Sequence, residues 1–290
     1  MRTRASVIIP AYNEDSNIGG IIRKIKEIHP DLEVLVVDDG SEDRTAQVAH
    51  DAGARVLSHR RNMGNGAAVK TGLRNASGDV VVLMDGDGQH RPEDIKTLLG
   101  YIEENSLVVG VRKKGGQATL FRAFANWVYN RLASYVCGVR IPDLTSGFRA
   151  VRRNEALGFL PLLPNTFSYP TTMTLSYMRA GYSVSFVDID VENRKGGESK
   201  ISLYQDGMRF ILIIIKIATL FAPLKVFLPV SFFFFLAGLT NYSYTYFMWH
   251  RLTNMTVFLF STAVIIFMMG IISEQISQLF FIRYQGQFDE

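Results

Sequence analysis

Two apolar runs near the end of the chain, "VFLPVSFFFFLAGLTNYSYTYFMW" at 226–249 and "MTVFLFSTAVIIFMMGIISEQISQLFFI" at 255–282, leave little choice of environment. At about 1.5 Å of rise per helical residue, each is long enough to cross a hydrocarbon core roughly 30 Å thick. They predict a transmembrane hairpin occupying residues 226–290. An even number of spans returns the chain to the side it left. Arg209, Lys216, Lys225 and Arg283 flank that side, against Arg251 in the far turn. The bias places the rest of the protein in the cytoplasm, at the plasma membrane of a prokaryote or the endoplasmic reticulum of a eukaryote. Glu274 falls near the domain-side end of the second run, where it could snorkel to the interface or pair between protomers of a homo-oligomer.

The segment 200–225 changes character before the runs begin. Ser202, Gln205, Asp206, Arg209 and Lys216 fall on one side of a helix whose other faces are apolar. This predicts a helix lying in the membrane interface, with an ordinary amphipathic helix packed on the domain as the alternative. Residues 1–199 carry most of the charge and most of the turn glycine, and read as a globular domain. A net charge of +4 suits anionic ligands or an anionic lipid surface, and is too small an excess to argue for nucleic acid. The single cysteine, Cys137, excludes an intrachain disulfide and a cysteine-cluster metal site. "MRTRASVIIPAYNE" has no apolar region of signal-peptide length, so the globular part is not expected to cross the membrane.

Within that part, strands and helices alternate. "ASVIIP" reads as a buried strand, followed by a helix carrying Ile18, Ile21, Ile22, Ile25 and Ile28 on one face. "LEVLVVDDGS" and "ARVLSH" are strands separated by a helix closed by Gly53. "GNGAAVKTGLRNASG" is a helix closed by Gly78, and "DVVVLMDGDG" the next strand. A helix then begins at Pro92, followed by the strand "SLVVGV". Beyond lie a basic loop "RKKGGQAT", a helix over about 120–136, a turn "IPDLTSGFRA" and a strand within "YSVSFVDIDVENR". The pattern predicts an α/β domain with a mostly parallel sheet, helices on both faces, and ligands outside the carboxyl ends of the strands.

The acids collect at those ends. In "VVVLMDGDGQH", Asp85 and Asp87 are one residue apart, and on an extended strand alternate residues share a face, so both carboxylates can converge on one point. Two hard oxygen ligands with open positions suit Mg²⁺ or Mn²⁺ bridging a substrate's phosphates, where the metal would offset the charge of a leaving diphosphate. An acidic turn in solvent also produces D-x-D. The pair gains weight from Asp38 and Asp39 on a neighbouring strand and from Glu14 beyond the first. Phosphatases that use D-x-D-G nucleophiles are a rival, disfavoured because the downstream segment turns basic instead of supplying further acids. "GNGAAVK" lacks the spacing and the Ser/Thr of a Walker phosphate loop.

"VIIPAYNED", "VVDDGSEDRT", "GNGAAVKTGLRNASGDVVVLMDGDGQHRPEDI", "DLTSGFRA" and "RKGGESKIS", in that order over residues 5–201, resemble the family-2 glycosyltransferases with the GT-A fold. The resemblance is to the polyprenyl-phosphate branch, of the dolichyl-phosphate mannose or glucose synthase type. It implies a nucleotide-sugar donor, UDP- or GDP-linked, and a polyprenyl or dolichyl phosphate acceptor. It further implies that Pro10, Tyr12 and Glu14 line the nucleotide pocket, that Val37 and Asp39 meet the base, and that Asp85, Gly86, Asp87 and Gln89 hold the metal and donor diphosphate, Asp87 and Gln89 as direct ligands. Arg112 would face the donor and acceptor phosphates. Arg122 and Asn126 would form the acceptor site, with Asn where the family has Ser, and Arg194, Ser199 and Lys200 would close over the phosphates.

The chemistry agrees. Joining a sugar nucleotide to a lipid phosphate calls for a metal and for cations, which Arg112, Arg122, Arg194 and Lys200 supply. A phosphate monoester with a second pKa of about 6 is already largely dianionic at neutral pH, so no catalytic histidine is needed. The five histidines form no cluster and are expected at the surface, with His90, nearest the acids, the exception worth testing. Asp143 is the nearest thing to a base, and orienting the acceptor pocket or capping a turn suits it better. Asp87, Arg122 and Asp143 are therefore the candidate catalytic residues. A membrane-anchored transferase acting on another lipid or a polysaccharide is the runner-up, although the Gln-x-x-Arg-Trp motif of processive synthases is missing. A non-catalytic scaffold with a nucleotide-binding domain is the alternative from another class.

Overall fold

The computed structural model describes residues 4–112, 127, 130–131, 133–135, 138–190 and 219–285. The chain divides into two compact units, Met1–Ser134 with Val139–Ile201, and Tyr135–Gly138 with Ser202–Glu290.

The first unit is built on strands β1 (Ala5–Ala11), β2 (Glu33–Asp38), β3 (Arg55–Ser58), β4 (Val80–Leu83), β5 (Leu107–Arg112), β6 (Arg149–Arg152) and β7 (Val184–Ile189). They form one sheet in the order β3-β2-β1-β4-β6-β5-β7. All pairings are parallel except those of β6, which runs antiparallel to β4 and to β5. The mostly parallel expectation therefore holds, with one reversed strand inside the sheet. β6 lies in the segment that sequence pattern assigns to a turn. Its four residues are too few to show a period, and the middle of the strand is recognised only by what flanks it.

Period-two burial explains why helices cover both faces. Val7, Ile9, Val34, Val36, Val80 and Val82 point to one side, where α1 (Asp15–Ile28), α2 (Thr45–Asp51) and α4 (Ile95–Tyr101) pack through Ile18, Ile22, Ile25, Ala49, Ile95 and Leu98. Ile8, Leu35, Val37, Val81 and Leu83 point to the other, against α3 (Asn65–Asn75), α5 (Arg153–Phe159) and α6 (Tyr169–Arg179) through Val69, Leu73, Phe159, Met173 and Tyr177. The helix expected from Pro92 is a 3₁₀ turn, Pro92–Asp94, running into α4. Gly53 sits at φ +88 just past α2, as a helix-closing glycine should. Gly78 does not close α3. It lies where the backbone of Ala5 and Ser6 passes, 2.7 Å from where a Cβ would be, and its N–H donates to Ser6 Oγ at 2.9 Å.

The second unit contains two long helices, α7 (Pro223–Trp249) and α8 (Asn254–Gln285). The spans Pro223–Trp249 and Asn254–Leu279, with mean hydropathies of 1.7 and 2.4, are long and apolar enough to cross a membrane. They approach closely where side chains are absent: a Cβ on Gly270 would lie 2.8 Å from Phe227, and one on Gly238 would lie 3.0 Å from Phe260. Several polar groups among the described residues of the pair bond locally. Ser231 Oγ donates to the Ala263 carbonyl at 2.8 Å, and the Glu274 carboxylate accepts the Leu224 N–H at 3.4 Å. At the far turn His250 adopts φ +48, and Asn241 Oδ1 accepts from the hydroxyls of Thr253 and Thr256 at 3.2 and 2.8 Å. Of the expected interfacial segment, residues 200–218 lie outside the described residues, as does most of the expected helix over 120–136.

Candidate active site

Four pairings bring the acidic segments to one edge of the sheet. Ala11 pairs with Asp38, Ile8 with Leu83, Leu83 with Arg149, and Val109 with Arg149. Because β6 is reversed, its beginning lies beside the carboxyl ends of its neighbours, and the segment 143–147 meets Asp85 and Arg112 there.

β4 ends at Leu83, so Asp85 stands on chain that has left the sheet and Asp87 on a turn completed by Gly88 at φ +75. The alternation that would align the two carboxylates on a pleat does not extend this far. Asp87 Oδ1 instead accepts the Gln89 N–H at 3.1 Å, folding the turn on itself, and the charges of both acids reach Arg112. Gly86 is buried beside the Pro10 carbonyl. Asp85, its side chain 32% exposed, is crowded on two sides. His90 Nε2 lies 3.4 Å from its Oδ2, and a Cβ on Gly147 would collide with the carboxyl group. Burial raises the pKa of this acid, but the hydrogen bond and charge of His90, then the charges of Arg149 and Arg112, outweigh it and hold it below the ordinary carboxylate value.

Arg112 and Asp143 form a fork. Nε donates to Asp143 Oδ2 at 2.8 Å, and Nη2 donates to Asp143 Oδ1 at 3.1 Å and to Thr145 Oγ1 at 2.7 Å. Asp143 also accepts the Thr145 N–H at 3.1 Å. Burial acts to raise its pKa, and Arg112 and Thr145 bring it down. Behind the pair, Arg149 is fully buried. It donates to the carbonyls of Pro170, at 2.7 Å, and Ser146, and to Thr174 Oγ1 at 3.2 Å.

Around the first two strands, Pro10 is buried and Tyr12 exposed. Asn13, at φ +56, donates its N–H to Ser41 Oγ at 2.9 Å and accepts from the Glu42 N–H at 2.9 Å. The Glu14 N–H donates to Thr45 Oγ1 at 2.8 Å, while its carboxylate accepts from Asn17. Val37 is in the core, so its side chain does not face the edge; only its backbone could meet a base. Asp39 is buried, and its carboxylate accepts from the N–H groups of Met63 and Gly64 at 3.0 and 2.8 Å and contacts His59 Nδ1 at 2.6 Å.

The surface expectation for the histidines is thus corrected at His59, which is largely buried against Asp39. His90, the exception, is buried beside Asp85. Arg149, Thr145 and Gly147 are features of the site that sequence reasoning did not single out. The only available signal was that all three lie inside the motif "DLTSGFRA". Arg122, Asn126, Arg194, Ser199 and Lys200 lie outside the described residues. Among the described residues no group of three or more His, Cys, Asp or Glu side chains could hold a metal. Two carboxylates and an amide two residues further on, Asp85, Asp87 and Gln89, are oxygen donors of the kind a cation uses when it shares its coordination with substrate phosphates, and to that extent the residues fit Mg²⁺ or Mn²⁺.

The curated relatives include the undecaprenyl-phosphate 4-deoxy-4-formamido-L-arabinose transferase of Enterobacter sp. (strain 638), 34% identical over 184 residues, 57% of this chain and 56% of that protein. The protein of the same name from Photorhabdus laumondii is 29% identical over 246 residues, 77% of this chain and 70% of its own length. The match thus spans little more than half the length of the first. Among solved structures, glucosyl-3-phosphoglycerate synthase from Mycobacterium tuberculosis, in complex with Mn²⁺, UDP and glucosyl-3-phosphoglycerate, superposes with a TM-score of 0.60 at 24% identity, covering 75% of this chain and 79% of that one. Mannosyl-3-phosphoglycerate synthase from Rubrobacter xylanophilus gives 0.57 at 22%, covering 74% and 72%. At such identities the likeness is one of fold, and the fold is the GT-A type that the motifs led us to expect. Residues 222–279 match the GtrB C-terminal hairpin. Residues 6–157, more than half of the chain and the part that carries the acids at the sheet edge, match Glycosyl transferase family 2, and to that family the chain belongs.

Proposed function

We propose that this protein transfers a hexose, with inversion, from a UDP- or GDP-linked sugar to a polyprenyl or dolichyl phosphate at the cytoplasmic face of a membrane. The observation that carries the reading is that Asp85 and Asp87 stand at a sheet edge within reach of the charge of Arg112, in a chain that also has two helices of membrane-spanning length. The relatives named for undecaprenyl phosphate support the acceptor class.

Asp85, Asp87 and Gln89 would hold Mg²⁺ or Mn²⁺, which when bound offsets charge on the departing diphosphate. Pro10, Tyr12, Glu14, Asp39 and Gly86 would shape the nucleotide side. Arg112 gives Nε and Nη2 to Asp143 and Thr145, which fixes the plane of the guanidinium that would meet a phosphate oxygen. Asp143, ionised and already paired, is in this reading an orienting group for Arg112 and not the base. The acceptor needs none, because its phosphate is charged before it arrives. Arg122, Asn126, Arg194, Ser199 and Lys200 would complete the phosphate sites.

Replacing Asp87 with Ala tests the reading against a scaffold. In membranes incubated with labelled UDP- and GDP-sugars, pentoses included, transfer of label to the organic phase should fall at least about a hundredfold, as for the loss of a major electrostatic contributor. A variant as active as the parent would remove the acid pair from the mechanism.

A further inference from the structure

We propose that His90 is a positioning residue for the metal-binding carboxylate: its Nε2–H holds Asp85 Oδ2 and so fixes the orientation of the carboxylate that would bind the cation. This rests on the assignment of Asp85 and Asp87 as metal ligands given above.

Three observations converge on the ring. It is buried, 6% exposed, and lies parallel to Phe148 at 5.0 Å between centroids and 14° between planes. Phe148 is itself fully buried in the core, so the imidazole rests on a fixed surface. Nε2 faces Asp85 at 3.4 Å, while Nδ1 is buried with no partner among the described residues. A buried N–H without an acceptor is costly, so the ring hydrogen belongs on Nε2, where a carboxylate can take it.

Asp85 needs such a hold. It projects from chain that has left the sheet, and the charges of Arg149 and Arg112 both attract it. A carboxyl free to rotate would take more than one orientation between them. Gly147 closes one side, where no Cβ fits, and His90 closes another. Oxygen ligands of metals are commonly fixed in this way by a hydrogen bond from behind, and removing the donor typically costs ten- to a hundredfold in metal affinity.

The test uses the full-length protein in detergent and measures Mn²⁺ binding by the loss of the free-ion electron paramagnetic resonance signal, with the metal alone and with UDP or GDP added. His90→Phe keeps an aromatic ring on Phe148 but removes the donor. It should weaken Mn²⁺ binding by about ten- to a hundredfold without lowering the thermal transition of the metal-free protein. His90→Gln returns an N–H near the Nε2 position and should stay within about threefold of the parent. Equal binding by His90→Phe and the parent overturns the proposal, and so does a glutamine variant as weak as the phenylalanine one, since packing would then explain both. His90→Leu serves with the same expected outcome should the phenylalanine variant not fold. If the parent itself binds no Mn²⁺ under any of the three conditions, the metal assignment fails; if the parent binds and His90→Phe matches it, only the present inference fails.

Discussion

Arg112 and Asp143 show how individual side chains set the behaviour of the edge. Two parallel N–H bonds from a guanidinium are directional in a way that a lysine ammonium could not reproduce. Asp143 has its pKa lowered, so its contribution to stability is fully present above the unfolded value of about 3.9 and is lost as the pH falls from there through the depressed folded value. Asp143→Asn should therefore cost about 1–2 kcal/mol near neutrality, with Arg112 partly exposed and the pair discounted accordingly. Thermal melts from pH 6 down to pH 2 should fall less steeply for the variant than for the parent; parallel curves would show that the pair contributes nothing to folding. Asp85 and Asp87 stand out in the sequence once D-x-D is read together with Asp38, Asp39 and Glu14 at the neighbouring strand ends. The contacts that hold the edge together do not, because His90 is tied to Asp85 by a turn and Arg112 to Asp143 by a loop, and such contacts leave no periodic trace. Val37 adjoins two acids in sequence, and alternation sends its side chain into the core while leaving its backbone beside theirs.

At the level of elements, the parallel strands were readable because most are short apolar runs bounded by turn residues. β6 was not, nor were α5 and α6, since a short reversed strand carrying a buried Arg149 looks like a loop when read alone. The start of α3 illustrates what pattern omits. Gly64 takes φ +98, its N–H reaches Asp39, and a Cβ there would collide with the Asn165 carbonyl. The Ala67 N–H also donates to that carbonyl, at 3.3 Å, so the segment before α6 covers the start of α3. Gly64→Ala combines the strain of a positive-φ, extended conformation, about 1–3 kcal/mol, with a backbone clash. It should lower the melting temperature of the full chain by several degrees, about 2–4 °C per kcal/mol at this size. Gly88→Ala, at φ +75 with nothing within 4 Å, should cost only the strain. Equal shifts at the two positions would mean that the approach of Asn165 is not tight.

For the molecule as a whole, the two helices of the second unit and the acidic edge of the first belong to one proposed reaction, in which a lipid phosphate is met at the bilayer surface. The membrane runs were the plainest feature of the sequence, because no soluble face accounts for so many consecutive apolar residues. The proposed orientation rests on the cations at the two ends of the hairpin. In a Cys137→Ser background, a cysteine placed at Arg251 should react with a membrane-impermeant maleimide added to intact cells, whereas one at Arg60 on the globular unit should react only after lysis. The reverse pattern would put the proposed site on the wrong side of the membrane. The central claim, metal-dependent transfer to a lipid phosphate, is met most directly by the purified full-length protein with polyprenyl phosphate, a labelled sugar nucleotide and Mg²⁺ or Mn²⁺. The account predicts label in the organic phase that disappears with excess EDTA and returns when the metal is restored. Undiminished transfer in EDTA, or label passed only to water-soluble hydroxyls, would contradict it.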